Sequence, residues 1–194
     1  PPSPPQTDRS LERMKTDYID IMQLHSPSRD DLVKGDGIEE LKRAQEQGKV
    51  RFVSLSADGD AAVRAVEMGE FDTLQITYNV LDQSPSDVLA AAREKDMGLI
   101  IKQPIANAVF EKPDKDNPSA AIADRAHSIL SPEAIGDLAP VEAALRWLLN
   151  DENVHTAIVG TTNLSHLESN VEAVTKGPIP EGVAEEIGRR FQGL

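Results

Sequence analysis

Residues 10–25 read SLERMKTDYIDIMQLH, and their pattern changes midway. Ser10–Lys15 predicts a short helix ending near Thr16, with Met14 as a core residue. Tyr18–Leu24 then predicts a strand. Ile19 and Ile21 lie on one of its faces because side chains alternate along an extended chain. His25 stands at its end, and Met22 reads as core. A helix followed by a strand is a unit that parallel α/β sheets repeat.

The same alternation continues along the chain. Ile38–Gln47 predicts a helix from Ile38, Leu41 and Ala44 at three-residue spacing, closed by Gly48. Val50–Leu55 within QGKVRFVSLS is the next strand. Ala61–Met68 is a helix capped by Asp58 or Asp60 and stopped by Gly69. Phe71–Tyr78 within FDTLQITYN is a strand, Asp87–Lys95 a helix, and Gly98–Ile101 a strand ending at Lys102. Residues 103–139 hold Pro104, Pro113, Pro118 and Pro132 and have weak periodicity, so they read as an irregular excursion with one or two short helices. Beyond them come the helix Val141–Asn150 and the strand His155–Val159. The helix His166–Val174 follows, capped by Asn163 or Ser165, and Glu181–Phe191 is a last helix. Five strands separated by helices imply parallel pairing with crossover connections. Part of a (β/α)8 barrel and an open doubly wound sheet both fit that count.

Composition narrows the function classes. The 194 residues carry a formal net charge of -13, with 39% hydrophobic and 27% charged residues. Such a chain builds a core, and its acidity disfavours nucleic acid and anionic membranes as partners. It has no cysteine, which removes thiol nucleophiles and thiolate metal sites and agrees with a cytoplasmic setting. Its apolar runs fall far short of the roughly 18 residues a membrane span needs. His127 and His155 form no ligand spacing, so no metal site is expected. The opening PPSPPQTDR, residues 1–9, reads as a Pro-rich tail or a truncation scar, with residues 10–194 forming one domain.

Several polar residues stand where parallel sheets meet ligands, at the carboxyl ends of strands. His25 there can donate to a carbonyl or exchange protons near neutrality. Gln75 is an amide inside TLQIT, and Asn79 follows that strand. Both need partners, and a ligand carboxamide presents the complementary donor and acceptor. Ser56 ends VSLS and suits the same ligand. IVGTTNLSHLESN, residues 158–170, places Gly160, Thr161 and Thr162 before a helix N-terminus, a setting that favours anions. His166 and Asn170 share one face of that helix. The stretch fits neither the Walker A nor the GxGxxG pattern. Each of these residues also has a purely structural reading as a capping or strand-to-strand hydrogen bond.

Taken in order, SLERMKTDYIDIMQLH, VRFVSLS, LQITYN and GTTNLSHLESN resemble the aldo-keto reductase superfamily, from strand 4 to helix 8 of its barrel. The resemblance covers nearly everything from Asp8 onward. It implies a parallel (β/α)8 TIM-barrel fold of which this chain supplies about the last five strand–helix units. It also implies NAD(P)H-dependent hydride transfer to a small aldehyde or ketone, with NADP(H) ahead of NAD(H). By the resemblance, His25 is the catalytic residue that orients the substrate carbonyl. Ser56 and Gln75 hold the nicotinamide carboxamide, and Lys102 falls where many members stack an aromatic ring. Gly160, Thr161 and Thr162 line the phosphate loop, and His166 and Asn170 face the adenosine.

Some positions depart from the family. Ala57 follows Ser56 where members often have Asn or Gly, and Gly160 and His166 replace basic residues. The family's catalytic Tyr, Lys and Asp precede the DYIDIMQLH strand and match nothing here, so the chain alone is expected to turn over little. A missing N-terminal half or self-association would cover the open strand edges. The alternative role is a non-catalytic cofactor-binding or interaction module built from a partial barrel.

Overall fold

The computed structural model describes residues 6–111 and 120–193. Its five strands form one sheet in the sequential order β1-β2-β3-β4-β5. Chain packing divides it into two compact units, Pro1–Ile76 with Val88–Leu99, and Thr77–Asp87 with Ile100–Leu194.

In the first unit α1 (Gln6–Met14) begins four residues before the expected start and buries Thr7 and Leu11, one turn apart. Met14 is not core. It is the last residue of that helix and is 55% exposed, because no further turn covers it. β1 spans Ile19–His25, and α2 (Arg29–Lys34) follows as an element the periodicity did not predict. A capping box starts α2: Ser28 Oγ accepts from Asp31 N while Asp31 accepts from Ser28 N. Gly35 ends it with φ 81, a left-handed conformation that costs glycine little. Next come α3 (Asp36–Glu46), β2 (Val50–Ser56) and α4 (Gly59–Met68), whose N-cap residue is Asp58. β3 (Thr73–Thr77), α5 (Ser86–Glu94) and β4 (Gly98–Lys102) complete the series, each lying partly in both units.

β1 pairs with β2 and β2 with β3, both in parallel. One face of these strands is packed. Val53, Leu55 and Leu74 are fully buried, and α3 and α4 lie against β2 through Ile38, Leu41 and Ala44 and through Ala62, Ala65 and Val66. α3 comes so near β1 that a Cβ on Gly37 would sit 3.1 Å from a Leu24 methyl. The opposite face is polar toward the strand tips, where it carries Gln23, Ser54, Ser56, Thr73 and Gln75. Toward the strand starts it carries Ile21 and Phe52, which pair in register and remain exposed.

In the second unit the 103–139 excursion is more helical than expected. A kinked 3-10 stretch, Ala106–Glu111, bends where Asn107 and Ala108 take positive φ. α6 (Ala120–Ile129) and α7 (Pro132–Ile135) follow, and Pro113 and Pro118 lie outside the described residues. α8 (Pro140–Leu149) starts on Pro140, whose fixed φ suits a first turn. β5 shrinks to Thr156–Ala157, pairing in parallel with β4 at Ile100 and Ile101. α9 (Leu164–Thr175) and α10 (Glu181–Gln192) end the chain. The core here joins Val80, Ala126, Ile129, Ala143, Ala144 and Ile187.

Candidate functional site

The first unit brings three of the sequence-identified residues into one row. His25 of β1 is in register with Ser56 of β2, and Ser56 with Gln75 of β3. His25 and Ser56 are the last residues of their strands, and Gln75 is the middle residue of β3. His25 is exposed, Ser56 is 0% exposed, and Gln75 lies between those extremes. Just beyond His25 the chain turns sharply, with Ser26 at φ 53 and its N–H donating to Ser56 O at 2.8 Å. That bond ties the end of β1 to the end of β2.

A buried hydroxyl needs partners, and here they come from the neighbouring strands. Gln75 Nε2 donates to Ser56 Oγ at 3.3 Å. One step deeper on the same face, Gln23, Ser54 and Thr73 form a second row. Gln23 Nε2 donates to Ser54 Oγ at 3.0 Å and to Gln75 Oε1 at 3.4 Å. Thr73 Oγ1 donates to Ser54 Oγ at 2.6 Å, and Ser54 Oγ donates to Thr73 O at 3.2 Å. Sequence reading passed over Gln23, Ser54 and Thr73. Their signal is parity: each stands two residues before a selected residue, or before a strand end, on the same face.

Gln75 keeps capacity to bind. Its bonds among the described residues use one Nε2 hydrogen and one Oε1 lone pair, which leaves one donor and one acceptor. A primary carboxamide is the complement of that pair.

Asn79 keeps no such pair and is buried at 3% exposure. Its Nδ2 donates to Gln103 O at 3.0 Å, and its Oδ1 accepts from Leu81 N and Asp82 N. It fixes a tight turn after β3 and the chain leaving β4. Lys102 ends β4 within the second unit, half-buried, one residue before Gln103, whose φ is 55.

Gly160, Thr161, Thr162, His166 and Asn170 come together on the loop after β5 and on α9, all in the second unit. All but Asn170 are exposed. Asn163 is the N-cap, its Oδ1 accepting from Ser165 N at 3.0 Å, while Thr161 Oγ1 accepts from Asn163 N at 3.1 Å. No acidic residue stands in the first turn of α9. The positive end of that helix is therefore not neutralised by its own side chains.

Tyr18 precedes β1, at the end of that strand opposite to His25. Tyr78 donates its hydroxyl to Asp151 Oδ2 at 3.0 Å and packs on Trp147 with ring centroids 5.4 Å apart. Burial, opposed by a hydrogen bond from Ser86 and reinforced by the Asp151 charge, pushes the phenol up to about 12. Among the described residues, no group of three or more His, Asp or Glu could hold a metal ion. None of their helices is long and apolar enough to cross a membrane.

The sequence model of the Aldo/keto reductase family matches residues 5–189. The chain belongs to the aldo/keto reductase family. Among curated members it is 28% identical over 186 residues to L-galactose dehydrogenase of Arabidopsis thaliana, covering 87% of this chain and 56% of that one. It is 23% identical over 185 residues to the uncharacterized oxidoreductase YqkF of Bacillus subtilis, covering 89% and 60%. The fold matches the holo form of the aldo-keto reductase AKR11C1 from Bacillus halodurans with a TM-score of 0.82 at 22% identity, over 95% of this chain and 65% of that one. At that identity the likeness speaks to fold, and the five-stranded parallel sheet is consistent with the (β/α)8 fold of aldo-keto reductases. The chain thus spans under two thirds of the length of each relative named here.

Proposed function

We propose that this chain forms the last five strand–helix units of an NAD(P)H-dependent aldo-keto reductase barrel that reduces a small aldehyde or ketone. The observation that carries the reading is the row His25–Ser56–Gln75 across three parallel strands. In it, His25 orients the substrate carbonyl, while Ser56 and Gln75 take the nicotinamide carboxamide. Lys102 borders the ring. Gly160, Thr161 and Thr162 take the adenosine phosphate, with His166 and Asn170 beside it. The hydroxyl-rich loop and the acid-free first turn of α9 support NADP(H) ahead of NAD(H).

The residues fit such a cofactor on two counts: the donor–acceptor pair left on Gln75, and a helix N-terminus open to an anion. A bound nicotinamide would supply the hydride. The chain's own residues hold the carboxamide, orient the carbonyl and turn a positive helix end toward phosphate. The alkoxide formed by hydride transfer needs a proton. With Tyr78 committed to Asp151 and Tyr18 at the far end of its strand, that acid is assigned to residues outside this sequence.

The same two tyrosines favour a second reading, a cofactor-binding or interaction module without turnover. Titration of NADPH and NADH against the whole chain, followed by nicotinamide fluorescence, tests the cofactor site that both readings share, and an absorbance assay of NADPH oxidation by a simple aldehyde tests whether the acid lies elsewhere. Binding with turnover supports a self-sufficient reductase. Binding without it supports the assignment of the acid elsewhere. No binding of either cofactor overturns the site.

A further inference from the structure

The hydrogen bonds on the polar strand face of the first unit diverge from the Gln23 amide: one branch passes through Ser54 to a main-chain carbonyl, the other through Gln75 to Ser56. Ser54 has one hydroxyl proton, donated to Thr73 O at 3.2 Å. Its oxygen must therefore accept from every other polar neighbour. Thr73 Oγ1 donates to it at 2.6 Å, and Gln23 presents its NH2 at 3.0 Å. This settles which end of the Gln23 amide faces Ser54. The same nitrogen reaches Gln75 at 3.4 Å and so must meet that residue's oxygen, Oε1. Gln75 is left with its NH2 toward Ser56 Oγ, at 3.3 Å. Turning Gln75 over would set NH2 against NH2 at Gln23.

We propose that Gln23 is a positioning residue: it fixes which end of the Gln75 amide donates and which accepts, and hence the orientation in which a ligand carboxamide is held. The inference rests on the reading that Ser56 and Gln75 bind the nicotinamide carboxamide. Gln23 itself touches no ligand in this scheme. It acts through Gln75, and its own place is set by its register with Ser54. Without Gln23 the Gln75 amide can present either end, so part of the molecules offers a carboxamide the wrong face.

The test compares two probes on the whole chain by calorimetric titration. NADPH carries the carboxamide; adenosine 2′,5′-bisphosphate carries only the phosphate end. Gln23→Leu removes the donor and leaves an apolar side chain one bond shorter. Gln23→Glu keeps the shape but sets an acceptor against the oxygens of Ser54 and Gln75. Circular dichroism confirms folding, and if Gln23→Leu does not fold, Gln23→Glu decides. The expected result is about a tenfold loss of NADPH affinity in either variant, the scale of one hydrogen bond, with affinity for adenosine 2′,5′-bisphosphate unchanged. Equal losses for both probes would show a general structural role and overturn the inference, as would no loss for either. A wild-type chain that fails to bind NADPH would overturn the proposed function and this inference together, and so differs from a null result confined to the variants.

Discussion

Ser54 and Thr161 are both hydroxyl residues near candidate ligand groups, but they are held in different ways. Ser54 is 0% exposed and bonds partners 19 and 31 positions away in sequence, on neighbouring strands. Thr161 is exposed and bonds Asn163, only 2 positions on. The strand-tip row exists only when the sheet is registered, so its geometry depends on the packed face behind it. The loop before α9 is shaped by local side-chain-to-backbone bonds that need no tertiary partner. One region should therefore respond to core mutations and the other to cap mutations.

The sharpest break between them should come from apolar truncation. Leu55 lies between Ser54 and Ser56, fully buried on the packed face, so Leu55→Ala should cost ~2–5 kcal/mol in urea unfolding. Leu167 on α9 is 48% exposed, and Leu167→Ala should stay within ~0.5 kcal/mol. A cost for Leu167→Ala near that for Leu55→Ala would mean that α9 is covered in solution, which would end the contrast.

Tyr78 offers a smaller effect inside the second unit. Its phenol is 4% exposed and, with burial as the first cause, is raised from 10.0 to about 12. The unfolded chain ionises near the lower value and the folded chain near the higher one. The stabilisation is thus full below pH ~10 and declines as pH climbs toward 12, by roughly 2–3 kcal/mol. Unfolding free energies across that range should slope downward in the wild type and flatten in Tyr78→Phe. Parallel slopes would remove the burial argument.

The smallest effect expected is local. Asn163→Ala deletes the N-cap of α9 and should cost ~1 kcal/mol. Amide hydrogen exchange should quicken in the first turn of α9 while β1 to β3 keep their protection. Loss of protection in those strands would show that the loop is not self-contained.

The alternation of strands and helices could be read from the chain because period-2 apolar runs such as VRFVSLS and TLQIT sit between glycine-stopped helices. His25 and Ser56 could be picked out as strand-end residues, Gln75 as an amide inside a strand, and Gly160 to Asn170 as a helix entry. Other features could not. α2 is too short to show a period, although Ser28 and Asp31 spell its capping box. α6 was hidden by the prolines around it, and β5 keeps only Thr156 and Ala157 in ladder pairing. Gln23 was missed for a physical reason: its importance depends on lying opposite Ser54, and register is a property of paired strands rather than of either strand's sequence. Asn79 had the right composition for ligand contact, but both ends of its amide are used within the fold.

The anchoring of the polar ladder on the Thr73 main-chain carbonyl also bears on counterfeit ligands. No substitution at position 73 removes that oxygen, so evolution can loosen the ladder more easily than rewrite it. If Gln75 takes a nicotinamide carboxamide as proposed, a deamidated dinucleotide, whose ring ends in a carboxylate, would bring a second acceptor to the oxygen of Gln75 and find nothing there to share. The strand tips would thus tell the amide from the acid by one misplaced lone pair.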